Sequence, residues 1–369
     1  METLERATEV SGLQVAQSVR DFFDTVSLCQ QRHRLALAQF VQPLLGTLAV
    51  FQEKEPFELA KFTLAIISRG TESNEVGAAD AYHNLERNLA RLLNSPSFRF
   101  VEADVARDPL PLDDVEAIIN LAAKPGVRPS LEDPASYMEA NVTATARIFD
   151  GARRVGVTRI VFGSSSSVYG NATPAPFAEA EPAVEPISPY AASKRSGELL
   201  AHAFVHLYPL RIICLRFFTV YGPRQRPDLA IHKFTDLIAR GRSIRMHGDG
   251  SSERDYTYIT DALDGILAGL EWTARAAEGS VETVNLGGGA RVRLDRLIAL
   301  IAAALGQDAR IERHPDQPGD VRLTDADLAH AGRVLGFRPR VGIEEGIRKF
   351  VDWYQEVHGR QSRAPSRAG

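Results

Sequence analysis

Hydrophobic and polar residues form two kinds of segment from about residue 98 onward. Short apolar runs rich in Val, Ile and Phe occupy 98–105, 115–123, 158–167 and 210–218. Longer segments with helical spacing of apolar residues separate them, chiefly at 135–156 and 188–208. Continuous apolar strands that alternate with helices predict a parallel sheet with helices on both faces. The predicted fold class is therefore α/β, with a doubly wound parallel sheet.

The same pattern divides the chain into a first domain at 80–222, a second domain and a tail. Residues 223–358 are richer in turns and end in an amphipathic segment at 342–358. They predict a smaller α/β domain, partly interleaved with the first, that caps the carboxyl ends of the strands. Residues 359–369 contain Ser, Pro, Gly and three Arg, which predicts a disordered tail.

The first 79 residues do not follow this alternation. Residues 1–45 have the spacing of helices, so the segment is predicted to be mostly helical. Residues 47–68 are compatible with a strand, a short helix and a second strand. The Gly, Ser, Asn and Glu residues at 70–77 predict a loop.

Composition excludes several classes of function. The 369 residues carry a formal net charge of −4, so no strong positive field favours nucleic acid. Two cysteines are too few for a thiolate metal site, and we expect no metal. No apolar run is long enough to span a membrane, and the acidic, polar start is unlike a signal peptide. These features predict a cytoplasmic protein.

A tyrosine and a lysine four residues apart are the first candidates for chemistry. Ser188 can cap a helix and Pro189 can occupy its first turn, which places Tyr190 and Lys194 on one helix face. A nearby ammonium favours the phenolate and lowers the pKa of tyrosine, so that Tyr190 can act as a general base. The spacing alone is weak, because surface helices often contain it by chance.

The upstream strand strengthens this interpretation. The apolar run at 158–167 ends in Gly163 and four serines, and polar residues at the carboxyl end of a parallel strand lie where ligands bind. A polar turn satisfied by its own backbone is the alternative. Ser165, Tyr190 and Lys194 together resemble the catalytic triad of extended short-chain dehydrogenase/reductases.

Further segments resemble the NAD-dependent sugar-nucleotide epimerases and dehydratases of that family, in the family's order, over about 80–358. They are IINLAAKPGVRPS at 118–130, RFFTVYGPRQRPDLA at 216–230, GDGSSERDYTYITDALDGI at 248–266, QPGDV at 317–321 and LGFRPRVGIEEGIRKFVDWY at 335–354. RQRPD combined with QPGDV is most similar to UDP-glucuronate 4-epimerases. The resemblance implies a Rossmann-like domain followed by a substrate-binding domain.

The resemblance also implies binding residues. Besides Tyr190 and Lys194, those for NAD would be Asp104, Val105, Leu121, Ala122, Ala123 and Asn141. Those for a UDP-sugar would be Ser166, Ser167, Thr219, Arg226, Arg254 and Asp320. Among these, Ser167, Thr219 and Arg226 are candidates for holding a glucuronate carboxylate. Arg254 could instead be a solvated loop charge, and Asp320 a helix cap.

The chemistry implied is oxidation and re-reduction at C4. Tyr190 would take the proton of the 4-hydroxyl while the hydride leaves for the nicotinamide, Ser165 would hold the oxygen, and Lys194 would bind the nicotinamide ribose. Sugar-nucleotide 4,6-dehydratases carry an acidic pair where this chain has Ser166 and Ser167. Elimination of water would lack its proton carriers here, which favours epimerisation.

One family feature is missing. No Gly-x-x-Gly-x-x-Gly turn follows the first predicted strand, although such a turn lets the backbone approach the pyrophosphate. Three explanations remain open: a gene start or reading frame that differs from the natural one, a variant that binds NAD weakly or not at all, or an unrecognised cofactor site.

Three functions follow from these observations. The first is a UDP-sugar 4-epimerase, and the second is a catalytically silent sugar-nucleotide-binding protein. The third is a relative that oxidises, dehydrates or decarboxylates the sugar. The resemblance also implies a homodimer formed by the helices at 135–154 and 188–206. The apolar stripe Leu199, Ala203 and Leu207 is compatible with it, but core burial explains the stripe equally well.

Overall fold

The computed structural model describes residues 47–52, 61–66, 98–315 and 323–361, and the account below concerns these ranges. The described strands are β1 Thr47–Gln52, β2 Lys61–Ile66, β3 Phe98–Glu102, β4 Ala117–Asn120, β5 Arg159–Ser165, β6 Arg211–Phe217, β7 Thr219–Tyr221, β8 Ile244–His247, β9 Glu253–Tyr258, β10 Ser280–Leu286, β11 Arg291–Arg293 and β12 Ile311–His314.

The described helices follow the strands of the first half and dominate the second. They are α1 Val127–Glu132, α2 Pro134–Tyr137, α3 Ala144–Val155, α4 Pro189–Leu207, α5 Ala230–Ala239, α6 Ile259–Arg275, α7 Leu294–Leu305, α8 Ala329–Leu335 and α9 Ile343–Gln361. A π-helical segment, Met138–Thr143, joins α2 to α3, and a short 3₁₀ helix, Ser166–Tyr169, follows β5.

Seven of these strands form one sheet in the order β10-β6-β5-β4-β1-β2-β3. All of them except β1 run parallel to one another. The α/β fold class predicted from the apolar runs is confirmed, and each of the four runs contains a strand. The carboxyl ends of β4, β5 and β6 therefore lie side by side at one edge of the sheet.

Strand β1 runs in the opposite direction to its neighbours. Leu48 pairs with Asn120 at the carboxyl end of β4, whereas Phe51 pairs with Ala117 at its beginning. β1 is also antiparallel to β2, so the two strands predicted within 47–68 exist but do not form a parallel crossover unit. β2 begins at Lys61. Residues 53–60 and the predicted helices at 1–45 lie outside the described residues.

The sheet is buried on both faces because its central strands are apolar at most positions. On one face lie Ile118, Ile160, Phe162, Ile212 and Cys214, together with residues of α3 and α4. On the other lie Ile119, Val161, Ile213 and Leu215, together with residues of α5, α6, α7 and α9. This alternation along β4, β5 and β6 follows the two-residue period of strands.

Helix α4 lies close against β5 because it carries a glycine at the contact. A Cβ added to Gly197 would lie 2.3 Å from Cζ of Phe162. The helix begins as the sequence predicts: the Ser188 hydroxyl accepts a hydrogen bond from the Ala191 amide at 3.1 Å, and Pro189 occupies the first turn. The start of α4 is thereby brought beside the carboxyl end of β5.

The second half of the chain builds two small sheets and also completes the large one. The small sheets have the orders β11-β9-β7 and β12-β8, while β10 pairs in parallel with β6. The domain division at 222 stays a prediction. Helix α9 continues through Gln361, and the tail at 359–369 likewise stays a prediction. None of the helices described here is long and apolar enough to cross a bilayer.

Candidate active site

Ser165 and Tyr190 meet where the carboxyl end of β5 faces the first turn of α4. The Ser165 hydroxyl lies close enough to the Tyr190 phenol to act on its pKa. Ser165 Oγ also accepts a hydrogen bond from the Ser167 amide at 3.2 Å and lies 3.2 Å from the Ser167 hydroxyl. Ser165 is the last residue of β5 and is buried, whereas Ser167 lies in the following 3₁₀ helix and is partly exposed. The strand end and the helix start thus bring the Ser165 hydroxyl to the phenol, with Ser167 beside Ser165.

Lys194 reaches the same strand from one turn further along α4. Its ammonium donates a hydrogen bond to the Gly163 carbonyl at 2.7 Å and lies 5.4 Å from the centre of the Phe162 ring. Burial lowers the pKa of Lys194 from 10.5 to about 8, and the negative charge of Glu198 acts in the opposite direction. The ammonium is therefore desolvated but still charged at neutral pH.

The pKa of Tyr190 differs from the sequence-based expectation. Burial raises it above the ordinary 10.0, while the hydrogen bond with Ser165 and the positive charge of Arg226 act against this shift. The expected lowering by Lys194 is wrong for the chain by itself, because desolvation of the phenolate outweighs the favourable contacts. A further positive charge is needed before Tyr190 can ionise near neutrality.

Arg226 is part of this site through the loop after β7. Its charge acts on the pKa of Tyr190 and on that of Tyr137. Its Nε donates to Asp228 at 2.9 Å and its Nη2 donates to the same carboxylate at 2.5 Å. The guanidinium is thus held in a bidentate ion pair and remains partly exposed, so an incoming anion can compete with Asp228 for it.

The other predicted substrate residues lie in the second half of the chain or beside Ser165. Thr219 begins β7, and Arg254 lies on β9, where its Nη1 donates to the Glu253 carbonyl at 3.0 Å. Ser166 opens the 3₁₀ helix and is partly exposed. Asp320 lies outside the described residues. The roles of Arg254 and Thr219 stay predictions.

The residues predicted for the cofactor line the carboxyl ends of β3 and β4. Val105, Leu121 and Ala122 have buried side chains, so they can offer backbone atoms to a ligand, while Ala123 is partly exposed. Asp104 is engaged locally, because its carboxylate accepts a hydrogen bond from the Ala106 amide at 2.9 Å. These positions stay predictions as NAD contacts.

Asn141 orders the loop that follows β4. Its amide nitrogen donates to the Lys124 carbonyl at 3.1 Å and to the Ser193 hydroxyl at 2.8 Å, and its oxygen accepts from the Lys124 amide at 2.7 Å. Asn141 is buried in the π-helical segment. Its side-chain amide is therefore engaged within the protein and shapes the loop, and its role towards NAD stays a prediction.

The nicotinamide end of NAD fits the donor groups at this edge. Lys194 offers an ammonium and Tyr190 a phenol, both next to the carboxyl end of β5. The side-chain NH₂ of Asn120, at the end of β4, is buried and lacks a hydrogen-bond partner within the described residues. An unsatisfied buried donor is costly, and a bound polar group would satisfy it.

The direction of β1, the strand expected to approach the pyrophosphate of NAD, differs from the pattern that the family resemblance implies. β1 ends, at Gln52, beside the beginning of β4 and not beside its carboxyl end. The carboxyl end of β1 therefore lies at the edge opposite Tyr190 and Lys194. Thr47 and Leu48, at the start of β1, are the β1 residues nearest the ligand edge.

Two groups of residues escaped the sequence analysis. Tyr137 packs against Tyr190, and a buried ion pair joins Arg216 of β6 to Glu198 of α4. A charged residue inside the apolar run at 210–218 was a visible signal for the second, because an arginine buried in a central strand requires a partner.

Comparisons with known proteins agree with this architecture. Residues 60–287 match the NAD dependent epimerase/dehydratase family. The chain is 39% identical over 295 residues to a probable UDP-glucuronate 4-epimerase of Rhizobium meliloti, covering 74% of this chain and 86% of that protein.

Two solved structures show the same fold. The UDP-glucuronic acid 4-epimerase of Bacillus cereus, in complex with UDP-glucuronic acid and NAD, superposes with a TM-score of 0.70 at 31% identity, over 75% of this chain and 87% of that one. A double mutant of the dTDP-glucose 4,6-dehydratase DesIV of Streptomyces venezuelae, with NAD bound, gives 0.69 at 32% identity, over 74% and 85%. This chain belongs to the NAD dependent epimerase/dehydratase family.

Proposed function

We propose that this chain is an NAD-dependent UDP-sugar 4-epimerase that acts on UDP-glucuronate. The observation that carries the proposal is the contact of Ser165 with Tyr190 beside Lys194, at the ligand edge of a family-type sheet. The relatives named as UDP-glucuronate 4-epimerases support the choice of substrate.

The protein residues would handle a single proton and the charge on one oxygen. Tyr190, as phenolate, takes the proton of the 4-hydroxyl, and Ser165 donates a hydrogen bond to the oxygen as it becomes a carbonyl. Bound NAD supplies the hydride acceptor, the later hydride donor and the positive charge that Tyr190 lacks in the chain alone. After the 4-keto sugar has rotated to present its other face, Tyr190 returns its proton to the oxygen. No atom is gained or lost, as epimerisation requires.

Arg226 and Ser167 supply the preference for a uronate. Arg226 is already held as the partner of a carboxylate, Asp228, and the substrate carboxylate replaces that partner with similar geometry. Ser166 and Ser167 stand where dehydratases carry acidic residues, and two more carboxylates would repel the uronate.

The test is a discontinuous assay with purified protein, added NAD and UDP-glucuronate, followed by proton NMR of the products. We expect UDP-galacturonate with no keto-deoxy sugar and no pentose. Tyr190→Phe should reduce turnover by at least about 100-fold, because it removes the general base, and should leave UDP-glucuronate binding intact. A pentose or dehydrated product would assign the reaction to another branch of the family.

A silent sugar-nucleotide-binding protein is the second candidate, and the direction of β1 favours it. Such a protein would bind UDP-glucuronate in a calorimetric titration but would not bind NAD. The epimerase requires both ligands to bind to the same preparation, so the titration separates the two candidates before any kinetic work.

We also propose that the chain forms a homodimer through α3 and α4. Leu199 and Leu207 of α4 are 55% and 66% exposed, and Ala203 between them is exposed as well. Core burial, the alternative explanation of this stripe, therefore does not apply. Light scattering after gel filtration should give twice the chain mass of 40.4 kDa for the natural protein and the chain mass for Leu199→Asp combined with Leu207→Asp.

A further inference from the structure

A fully buried carboxylate lies directly behind the candidate active site. Glu198 of α4 accepts hydrogen bonds from Ser164 Oγ at 2.6 Å, from Arg216 Nε at 2.8 Å and from Arg216 Nη2 at 2.9 Å. Arg195 Nη1 donates to the same carboxylate at 2.7 Å. Glu198 is completely buried and Arg216 is 2% exposed. Every lone-pair direction of the carboxylate is therefore used inside the protein.

These contacts join the elements that carry the candidate catalytic groups. Glu198 lies one helical turn after Lys194, on the helix whose first turn contains Tyr190. Ser164 immediately precedes Ser165 in β5, and its side chain points to the face of the sheet that α4 covers. A shift of α4 relative to β5 would break the contact between Glu198 and Ser164, so this contact fixes the separation of Tyr190 from Ser165.

Arg216 extends the cluster to a third strand. Its guanidinium lies 4.6 Å from the centre of the Tyr169 ring, and the Tyr169 hydroxyl donates to Asn285 of β10 at 2.7 Å. A buried ion pair of this kind is weak evidence for stability, because desolvation offsets much of the attraction. A role in placing or charging neighbouring groups explains it better.

Lys194 is the charged group whose protonation the Glu198 carboxylate affects most. On its own helix it faces Glu198 and lies one turn after Tyr190. From β5 it meets only the Gly163 carbonyl and the Phe162 ring, which carry no formal charge. The negative charge that acts on Lys194 is therefore that of Glu198.

Two positive charges, those of Arg216 and Arg195, pair with this carboxylate, and no further negative charge is added by the other titratable group beside it. Cys214 of β6 has its pKa raised by burial and by Glu198, so its thiol stays neutral. Burial alone would raise the pKa of Glu198, but Arg216, Ser164 and Arg195 outweigh it and keep the pKa below 4.5. Glu198 is thus ionised throughout the neutral range.

We propose that Glu198 is a positioning residue that keeps Lys194 protonated and sets the separation of α4 from Ser165. The inference adds to the proposed epimerase function and rests on it for the kinetic consequence. The charge consequence is a property of the chain alone. Without the carboxylate, desolvation acts on the ammonium unopposed, and Lys194 loses its proton closer to neutrality.

The direct test is a pH titration of lysine side chains labelled with ¹³C at Cε, observed by NMR in the full chain. Six lysines are present, and the Lys194 signal is identified by its loss in Lys194→Met. We expect Glu198→Gln to increase the acid dissociation constant of Lys194 by about tenfold or more. Glu278→Gln, which removes an exposed carboxylate paired with Arg211, serves as the matched control and should leave the titration unchanged.

The kinetic counterpart is the pH profile of epimerisation. The alkaline limb should move to lower pH in Glu198→Gln, whereas a residue with only a structural role would lower kcat at every pH without moving the limb. Glu198→Asp keeps the charge on a shorter side chain, so it should restore the position of the limb but not the full kcat.

The remaining outcomes test the role of Glu198 and the proposed epimerase function separately. An unchanged Lys194 midpoint in folded Glu198→Gln overturns the inference even if the natural chain epimerises UDP-glucuronate. A natural chain without turnover refutes the proposed function, while the titration still decides the role of Glu198. If Glu198→Gln does not fold, Glu198→Gln with Arg216→Met removes both buried charges. A smaller shift in the same direction is then expected, because the repulsion of Lys194 by Arg216 is lost as well.

Discussion

The ring of Tyr137 meets that of Tyr190 edge to face, with the ring centres 6.4 Å apart and an angle of 85° between the planes. Tyr137 comes from α2, and its hydroxyl donates to the Pro125 carbonyl at 2.7 Å. The loop after β4 therefore reaches Tyr190 through one side chain. Edge-to-face pairs of this kind contribute about 0.5–1.5 kcal/mol beyond their buried area.

This contact predicts a rate effect without a proton-transfer role. Tyr137→Leu removes the ring that restrains Tyr190 and should lower kcat by about 10-fold or more, since misplacement of a catalytic group is costly. Tyr137→Phe keeps the ring and should retain most of the activity. Phe350→Leu, in the fully buried core of α9, is the matched control that loses packing but not kcat. Equal kcat in Tyr137→Leu and the control would refute the prediction.

Gly197 predicts an effect on both stability and the site. A methyl group there collides with Phe162, whose ring lies beside the Lys194 ammonium. Gly197→Ala should therefore destabilise the protein by about 1–3 kcal/mol and also lower kcat, because α4 moves away from β5.

The control for that variant is Gly265→Ala on α6. A Cβ at Gly265 would lie 2.6 Å from Cδ1 of Leu286, on the face of the sheet opposite α4. Chemical denaturation should show a loss of similar size, while kcat stays near that of the natural chain. Loss of kcat in both variants would mean that the effect comes from general destabilisation.

Asp255 predicts how stability depends on pH. This fully buried carboxylate accepts hydrogen bonds from the amides of Gly288 at 2.5 Å and Ala326 at 3.3 Å, yet burial raises its pKa from 3.8 to about 6. Because the folded state binds the proton more tightly, the stabilising contribution is complete below pH 3.8. It is lost as the pH rises through about 6 and amounts to roughly 3 kcal/mol.

Denaturant titrations of the natural chain and Asp255→Asn between pH 4 and 7 measure this contribution. We expect the difference in unfolding free energy between the two proteins to change across pH 4–6 and to be constant above that range. The absolute stability of the variant is not the readout, because Asn offers only one acceptor to the two amides. A constant difference throughout would show that Asp255 ionises normally in the folded chain.

The direction of β1 predicts loose binding of NAD. The carboxyl end of this strand lies at the edge of the sheet opposite the candidate active site, and the sequence lacks the glycine-rich turn that approaches a pyrophosphate. Protein purified by gel filtration should carry much less than one equivalent of NAD, measured after acid release, and turnover should depend on added NAD. Recovery of a full equivalent would show that other residues hold the pyrophosphate tightly.

The strands and helices from residue 98 onward were predictable because apolar runs and helical spacing report burial directly. The meeting of Ser165 and Tyr190 was predictable because carboxyl ends of parallel strands share one edge. The direction of β1 was not, because a short apolar run such as 47–52 is equally compatible with either direction. The pairing of Arg216 with Glu198 depends on the register of α4 over the sheet, which residue spacing does not contain.

The pairing of β10 with β6 means that the second half of the chain supplies a structural strand to the first half. Cutting the chain near residue 222 would leave the backbone donors and acceptors along β6, from Arg211 to Phe217, as an unpaired edge strand with apolar side chains. Exposed edge strands of this kind pair with strands of other molecules and lead to aggregation. Neither half of the chain can therefore be exchanged between proteins as an independent folding module.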